Sequence, residues 1–312
     1  MLASIIIRTL NEEKHLEDLL LALKRQECGA LRYEIIVVDS GSEDRTLEIA
    51  SSYGCNLVHI AREDFSFGKS LNLGCSVASG DYLVIISGHC VPTTSTWLQG
   101  LCDPLIANRV AYTYGRQIGG EKTRYSESRI FEKYYPSNSN VPQEGFYCNN
   151  ANAAVKKGIW EQYLFNEELT GCEDMELAKR LVEANEQIGY VAESCVYHYH
   201  DESWFQIRRR FEREAIALQK IMPQVHIRVN DLFRYVFSSI RFDLRHAYQN
   251  KVFFAKLLEI VRYRWAQYWG SFVGNHDHRK LSFEQKEEYF YPYHVRRNHG
   301  REDSRTSANE GK

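Results

Sequence analysis

Asp81-Tyr82-Leu83-Val84-Ile85-Ile86-Ser87-Gly88-His89-Cys90-Val91-Pro92 is the stretch that decides how this chain is read. Residues 83–86 are an unbroken apolar run, the pattern of a strand buried on both faces. The run stops at a small polar cluster, and in open α/β sheets chemistry sits at the carboxyl ends of strands. Two earlier segments end the same way: Ser4-Ile5-Ile6-Ile7-Arg8-Thr9-Leu10-Asn11-Glu12-Glu13 and Glu34-Ile35-Ile36-Val37-Val38-Asp39-Ser40-Gly41-Ser42. Between the strands, Leu16, Leu19, Leu20 and Leu23 recur at helical spacing. Ser42 reads as the N-cap of a helix with Glu43 and Asp44 in its first turn. Residues 56–60 read as a strand, 68–78 as a helix and 110–114 as a further strand. The βαβαβαβ order predicts a doubly wound, mostly parallel sheet flanked by helices.

Beyond residue 115 the pattern changes. Periodicity fades from 119 to 143, which reads as a flexible loop. Order returns at 146–155 and in a helix over 173–183. After 200 only helices are expected, at 201–221, 231–248 and 251–272. Residues 300–312 are polar and read as a disordered tail.

The composition narrows the class. A 312-residue chain with 44% hydrophobic residues suits one large domain with an appendage. Net charge is −2, but unevenly spread: residues 1–200 hold 18 Lys/Arg against 27 Asp/Glu, and residues 201–312 hold 21 against 14. The basic last third fits either a solvated helical surface or contact with an anionic membrane surface. Its stripe of Trp265, Tyr268, Trp269 and Phe272 near Lys256, Arg262 and Arg264 suits an interfacial helix, or packing on the sheet or a second subunit. No nucleic-acid partner is expected. The eight cysteines form no Cys-x-x-Cys pair and read as reduced thiols. With no signal-peptide pattern and no apolar run of membrane-spanning length, the expected location is cytoplasmic, with peripheral attachment to the inner membrane face as an extension.

Two nucleotide motifs are excluded. Gly68-Lys69-Ser70 mimics the end of a P-loop, but position 63 is Glu where that loop needs Gly. No Gly-x-Gly-x-x-Gly follows the first strand, which argues against a dinucleotide enzyme.

The three strand endings in this order resemble family 2 glycosyltransferases of the GT-A fold over roughly the first two hundred residues. The expected division is a GT-A domain at 1–200 (nucleotide-sugar half 1–115, acceptor half 116–200), a helical extension at 201–299, and the tail. The resemblance implies an inverting transfer from a nucleotide-sugar donor to a hydroxyl of a saccharide or lipid-linked acceptor, in surface polysaccharide or glycoconjugate assembly. It implies donor contacts from Thr9, Asn11, Glu12, Asp39, Ser42, Lys69, Asn72, Ser87 and His89. Asn150 and Asn152 are acceptor-binding candidates, or satisfy a buried turn. In Thr170-Gly171-Cys172-Glu173-Asp174-Met175-Glu176-Leu177, Asp174 matches the general base and Glu173 a positioning or alternative base.

The departure is at Ser87-Gly88-His89, where the family usually carries Asp-x-Asp. His89, joined by His198 or His200 of Tyr197-His198-Tyr199-His200, would supply neutral nitrogen ligands. Such a set favours Mn²⁺ over Mg²⁺; metal-free contact of the histidines with phosphate is the alternative. Two competitors are a non-catalytic nucleotide- or carbohydrate-binding domain and a sugar nucleotidyltransferase. The latter places a glycine-rich loop after the first strand, and residues 8–13 contain no glycine.

Overall fold

The computed structural model describes residues 1–278. The chain begins with β1 (Leu2–Thr9), α1 (Leu16–Lys24), β2 (Arg32–Asp39), α2 (Thr46–Ser52), β3 (Asn56–His59), α3 (Phe67–Ser76) and β4 (Tyr82–Ser87). It continues through β5 (Cys90–Pro92), α4 (Trp97–Ile106), β6 (Tyr112–Ile118), α5 (Tyr125–Tyr134), β7 (Asn152–Lys156), α6 (Lys157–Tyr163), α7 (Glu173–Glu183) and β8 (Ile188–His198). The helices α8 (Trp204–Ile221), α9 (Val229–Gln249) and α10 (Phe253–Asn275) complete the described residues.

All eight strands form one sheet in the order β3-β2-β1-β4-β7-β6-β8-β5. Pairings within β3-β2-β1-β4 are parallel, as the alternation of strands and helices predicts. β7 lies antiparallel between β4 and β6, while β6 and β8 are parallel and β5 runs antiparallel to β8. The architecture is therefore the expected mostly parallel α/β sheet with helices on its faces. The leucine row of α1 is fully buried against one face, beside Ile5, Ile7, Val84 and Ile86. Each such side chain contributes about 1.5–3 kcal/mol by leaving water.

Four local expectations change. Ser42 does not cap α2; the Thr46 N–H is capped by Asp44 Oδ1 at 2.9 Å. Of the order expected at 146–155, only residues from Asn152 on form a strand, and residues 157–163 and 188–198 form a helix and strand that periodicity did not mark. Within 119–143, expected to be a loop, α5 is a ten-residue helix. Of its three buried residues only Phe131 is apolar, beside Ser126 and Glu127, too few to give an apolar periodicity. Ser126 Oγ donates to Asp243 Oδ2 at 2.7 Å, and that buried carboxylate takes a two-pronged pair from Arg264 at 2.7 and 2.9 Å. The expected tail at 300–312 lies outside the described residues.

The three C-terminal helices are keyed to the sheet domain through α5. α10 crosses α8 closely at Gly270, where a Cβ would meet the Arg208 carbonyl oxygen at 2.3 Å. α8 starts at a capping box: Ser203 Oγ accepts from the Gln206 N–H, and Gln206 Oε1 accepts from the Ser203 N–H at 2.8 Å.

Candidate active site

The carboxyl ends of β1, β2 and β4 build one wall. Arg8 ties the parts together. Its carbonyl oxygen accepts the Gly88 N–H at 3.2 Å, and its guanidinium donates to Glu173 Oε1 at 3.1 Å and to the Phe67 carbonyl at 3.3 Å. One residue thus holds both the loop bearing His89 and the start of α7. Gly88 is required there: a Cβ would lie 2.9 Å from Glu12 Cγ, blocking the path by which Glu12 reaches His89.

The three candidate histidines converge. β5 pairs with β8 so that Cys90 faces His198, and the Tyr199 N–H donates to the His89 carbonyl at 3.1 Å. The extended backbone then places His198 and His200 on the same side. Ring centroids are 5.1 Å apart for His89–His198, 4.1 Å for His198–His200 and 5.8 Å for His89–His200. Each Nδ1 has its own partner at 2.7 Å: Glu12 Oε1 for His89, Gln117 Oε1 for His198 and Glu127 Oε1 for His200. That leaves the three Nε2 atoms, and one nitrogen from each ring lies within 4.8 Å of the others. Burial, then the neighbouring His200, His89 and Arg210, hold His198 well below its usual pKa. Burial and Arg210 do the same for His200. Two neutral rings fixed at one nitrogen by an oxygen partner have the form of metal-binding imidazoles.

The anchor of His200 reaches into the extension. Glu127, on α5, also accepts from Arg210 Nη2 at 2.7 Å and the Tyr263 hydroxyl at 3.2 Å. Arg210 is bound to Glu202 as well, so it is a half-buried, paired cation rather than part of a solvated basic face.

The acidic pair stands at the start of α7. Cys172, the preceding residue, adopts a left-handed φ of 56°, a conformation that costs a non-glycine residue about 1–3 kcal/mol. Asp174 is 8% exposed. Its Oδ2 accepts the Asn150 N–H at 2.8 Å and its Oδ1 the Met175 N–H at 2.7 Å. Burial first, and the Glu173 charge second, push its pKa up to about 7.

Several expected site residues are occupied by the fold. Asp39 is 1% exposed and accepts from the Gly41 and Ser42 N–H groups at 2.9 Å and from the hydroxyls of Thr9 and Ser42. Asn11 donates its N–H to Ser42 Oγ at 2.9 Å and accepts from the Glu43 N–H at 2.8 Å. Thr9, Asn11, Asp39 and Ser42 therefore close the two loops upon each other, and the Asp39 carboxylate has its acceptor sites filled. Asn72 likewise braces the 165–167 segment through Trp160, Phe165 and Glu167. Its amide oxygen and nitrogen are both engaged within the protein. Asn152 is completely buried, bonded to Trp97, Arg116 and Ser194. It holds β7 in the sheet and cannot reach an acceptor.

Asn150 is buried beside Asp174; its Oδ1 accepts from the Tyr112 hydroxyl, while its Nδ2 has no partner. Glu12 serves His89 instead of standing free for a nucleoside. Lys69 is exposed and paired with Asp64 at 2.8 Å. Ser87 ends β4 beside the loop of His89. Sequence reasoning did not mark Arg8, Gln117 or Glu127 as site residues. Arg8 alone gave a signal, a cation at the end of an otherwise apolar strand.

The pattern of Glycosyl transferase family 2 matches residues 4–164. The chain is 24% identical over 257 residues to the O-antigen chain rhamnosyltransferase WbaN of Salmonella anatum, covering 76% of this chain and 81% of that protein. It is 24% identical over 299 residues to the O-antigen chain rhamnosyltransferase RfbN of Salmonella typhimurium, covering 87% and 91%. Among solved structures, the mannosyltransferase PcManGT of Pyrobaculum calidifontis, in complex with GDP-Man and Mn²⁺, superposes with a TM-score of 0.55 at 16% identity, over 87% of this chain and 73% of that one. The glucosyl-3-phosphoglycerate synthase of Mycobacterium tuberculosis, bound to phosphoglyceric acid, gives 0.53 at 19% identity, over 70% and 79%. The family pattern spans just over half of the chain, and its residues build the β1, β2 and β4 wall: the chain belongs to the family 2 glycosyltransferases.

Proposed function

We propose that this protein is an inverting glycosyltransferase that moves a sugar from a nucleotide-sugar to a saccharide hydroxyl, in O-antigen-like polysaccharide assembly. The observation that carries the reading is the Arg8 bridge, which fixes an acidic pair and a three-histidine cluster at the same strand ends. The Asp174 carboxylate takes the proton of the acceptor hydroxyl. The freed oxygen forms the new bond to the anomeric carbon while the bond from that carbon to the diphosphate oxygen breaks on the opposite face. A base with a pKa near the working pH contributes about 10²–10⁴ in rate. Glu173, held by Arg8, positions the acceptor.

His89, His198 and His200 fit a divalent cation, because one nitrogen of each ring lies within 4.8 Å of the others and each Nδ1 is held by an oxygen partner. They would hold it, and it would offset the charge of the departing diphosphate. A nitrogen-only set from the protein suits Mn²⁺ better than Mg²⁺. Kinetics of Asp174→Asn and metal titration of the three histidine variants test the two halves of this reading.

The same reading places the protein at an anionic membrane surface through α9 and α10. The apolar stripe expected there is mostly packed: Tyr268, Trp269 and Phe272 are half-buried, and Arg264 is buried on Asp243. The N-terminal part of the same helix is exposed, with Phe254 90%, Leu258 70% and Trp265 45% accessible, and Phe237 of α9 is 66% accessible. Beside it, Phe237, Tyr248 and Phe253 line a shallow hollow of about 460 Å³ with Arg241 and Arg245. Asp231 and Glu259 are paired within their own helices, so this face is basic as well as apolar. No helix among the described residues is long and apolar enough to cross a membrane.

A further inference from the structure

We infer that Tyr263 of α10 is a positioning residue for His200, acting through Glu127, and that the helical extension thereby completes the three-histidine site. The inference rests on the metal half of the reading above and adds a residue of α10 to that site.

The chemistry starts at one oxygen. A neutral histidine ligates through the nitrogen that carries no proton, so its other nitrogen carries one and needs an acceptor. For His200 that acceptor is Glu127 Oε1, 2.7 Å from Nδ1. An ionised carboxylate only accepts, which puts the proton on Nδ1 and leaves Nε2 free to ligate. Glu127 is 2% exposed. A carboxylate buried that deeply keeps its charge and its place only while donors hold it. Its Oε1 takes two more bonds, both from the extension: Arg210 Nη2 of α8 at 2.7 Å and the Tyr263 hydroxyl of α10 at 3.2 Å.

Arg210 and Tyr263 divide the work. Arg210 neutralises: its Nη2 also lies 2.8 Å from Glu202 Oε2, so the guanidinium bridges two carboxylates. One ligand atom each of Glu127, His200 and Glu202 converges within 4.8 Å, and Arg210 is the cation that serves this second group. Tyr263 aims. Its ring is fully buried, clustered with Ile207 and Ala266 and edge-on to Phe211 at 6.3 Å. The hydroxyl reaches out of that cluster to Glu127, so the packing of α8 against α10 fixes where Glu127 Oε1 stands.

α5 carries the linkage. One turn beyond Glu127, the Phe131 ring lies 5.7 Å from that of His198 and 6.1 Å from that of His200. The first turn of α5 is fastened to the extension. The Tyr125 N–H donates to Glu259 Oε1 at 2.6 Å, the Tyr125 hydroxyl meets His246 Nδ1 at 2.7 Å, and Ser126 holds Asp243. One helix thus touches two of the three histidines and is bound to α9 and α10. Such coupling is reciprocal: docking of the extension tightens the site, and filling the site tightens the docking.

The test measures binding of Mn²⁺ alone to the full chain by calorimetry, together with amide hydrogen exchange of α10. Tyr263→Phe removes one oxygen and keeps the ring. Tyr268→Phe is the matched control on the same helix, because its hydroxyl bonds Ser239 of α9 at 2.7 Å instead of Glu127. Tyr263→Phe should weaken Mn²⁺ binding roughly 10-fold, the lower end for a residue behind a metal ligand, and Tyr268→Phe should leave it unchanged. Glu127→Ala should weaken it about 10- to 100-fold, and adding Tyr263→Phe to that variant should change nothing more. In the wild type, Mn²⁺ should slow exchange across residues 260–267; this measurement needs no variant and stands even where one misfolds. Wild-type affinity in Tyr263→Phe overturns the inference. So does an equal loss in both tyrosine variants, or α10 exchange indifferent to bound Mn²⁺. A wild-type chain that binds no Mn²⁺ removes the metal reading itself, and the inference falls with it.

Discussion

Replacing Asp174 by Asn should kill transfer and stabilise the fold at alkaline pH. Burial and the Glu173 charge raise the Asp174 pKa from 3.8 to about 7. Each unit is about 1.4 kcal/mol, so holding the ionised base in place costs the folded protein roughly 4 kcal/mol. The sign follows from proton counting. Between these two pKa values the folded state carries the proton and the unfolded state does not, so stability falls as pH rises through that window. Integrated from about pH 5 to about pH 8, the wild type loses roughly 2–3 kcal/mol from this group.

The Asp174→Asn variant has no such loss. It sacrifices one of the two backbone contacts to Asn150 and Met175, which costs about 1–3 kcal/mol at every pH. The difference in urea-unfolding free energy between variant and wild type should therefore shift toward the variant by roughly 2–3 kcal/mol across that range, while transfer drops by about 10²–10⁴. A difference that stays flat with pH would refute the buried-base argument, whatever the kinetics show.

Other consequences can be checked separately. Glu12→Ala removes the partner of His89 Nδ1, and Mn²⁺ affinity by calorimetry should fall about 10- to 100-fold; unchanged affinity would dismiss Glu12 as an anchor. Gly270→Leu drives a side chain into the Arg208 carbonyl, so the helical extension should loosen and the melting temperature drop. A variant that melts like wild type would mean that α8 and α10 are not held that close. The α9–α10 face should bring the protein down with anionic vesicles at low salt and release it at high salt, and Phe254→Ser with Leu258→Ser should abolish the effect. Equal recovery in the supernatant with anionic and neutral vesicles, or a dimer that hides Phe254, would rule out this membrane contact.

The parallel half of the fold was legible because its signals are local. Residues 5–7, 35–38 and 83–86 are unbroken apolar runs, and the leucines of α1 keep helical spacing. The histidine cluster was partly legible, since His-x-His on an extended segment must share a side. What fixes it was not: Glu12, Gln117 and Glu127 come from three separate elements, and only the fold brings them to 2.7 Å. The antiparallel insertion of β7 and the helix α5 were hidden for a related reason. α5 is held by the polar contacts of Ser126 and Glu127 with Asp243, Arg264 and Tyr263 as much as by Phe131, and such contacts leave no periodic trace. Asp39, Asn72 and Asn152 show the converse. These polar residues at suggestive positions brace loops and sheet through hydrogen bonds that only the fold brings together.

The central claim is a single displacement with Asp174 as base, and the anomeric configuration of the product tests it most directly. A panel of nucleotide-sugars is offered with a neutral glycoside acceptor. The one-bond carbon–proton coupling at the new anomeric centre is then read by NMR for the donor that turns over. The account predicts a configuration opposite to that of the donor sugar, and no product from Asp174→Asn. A product that keeps the donor's configuration would contradict it.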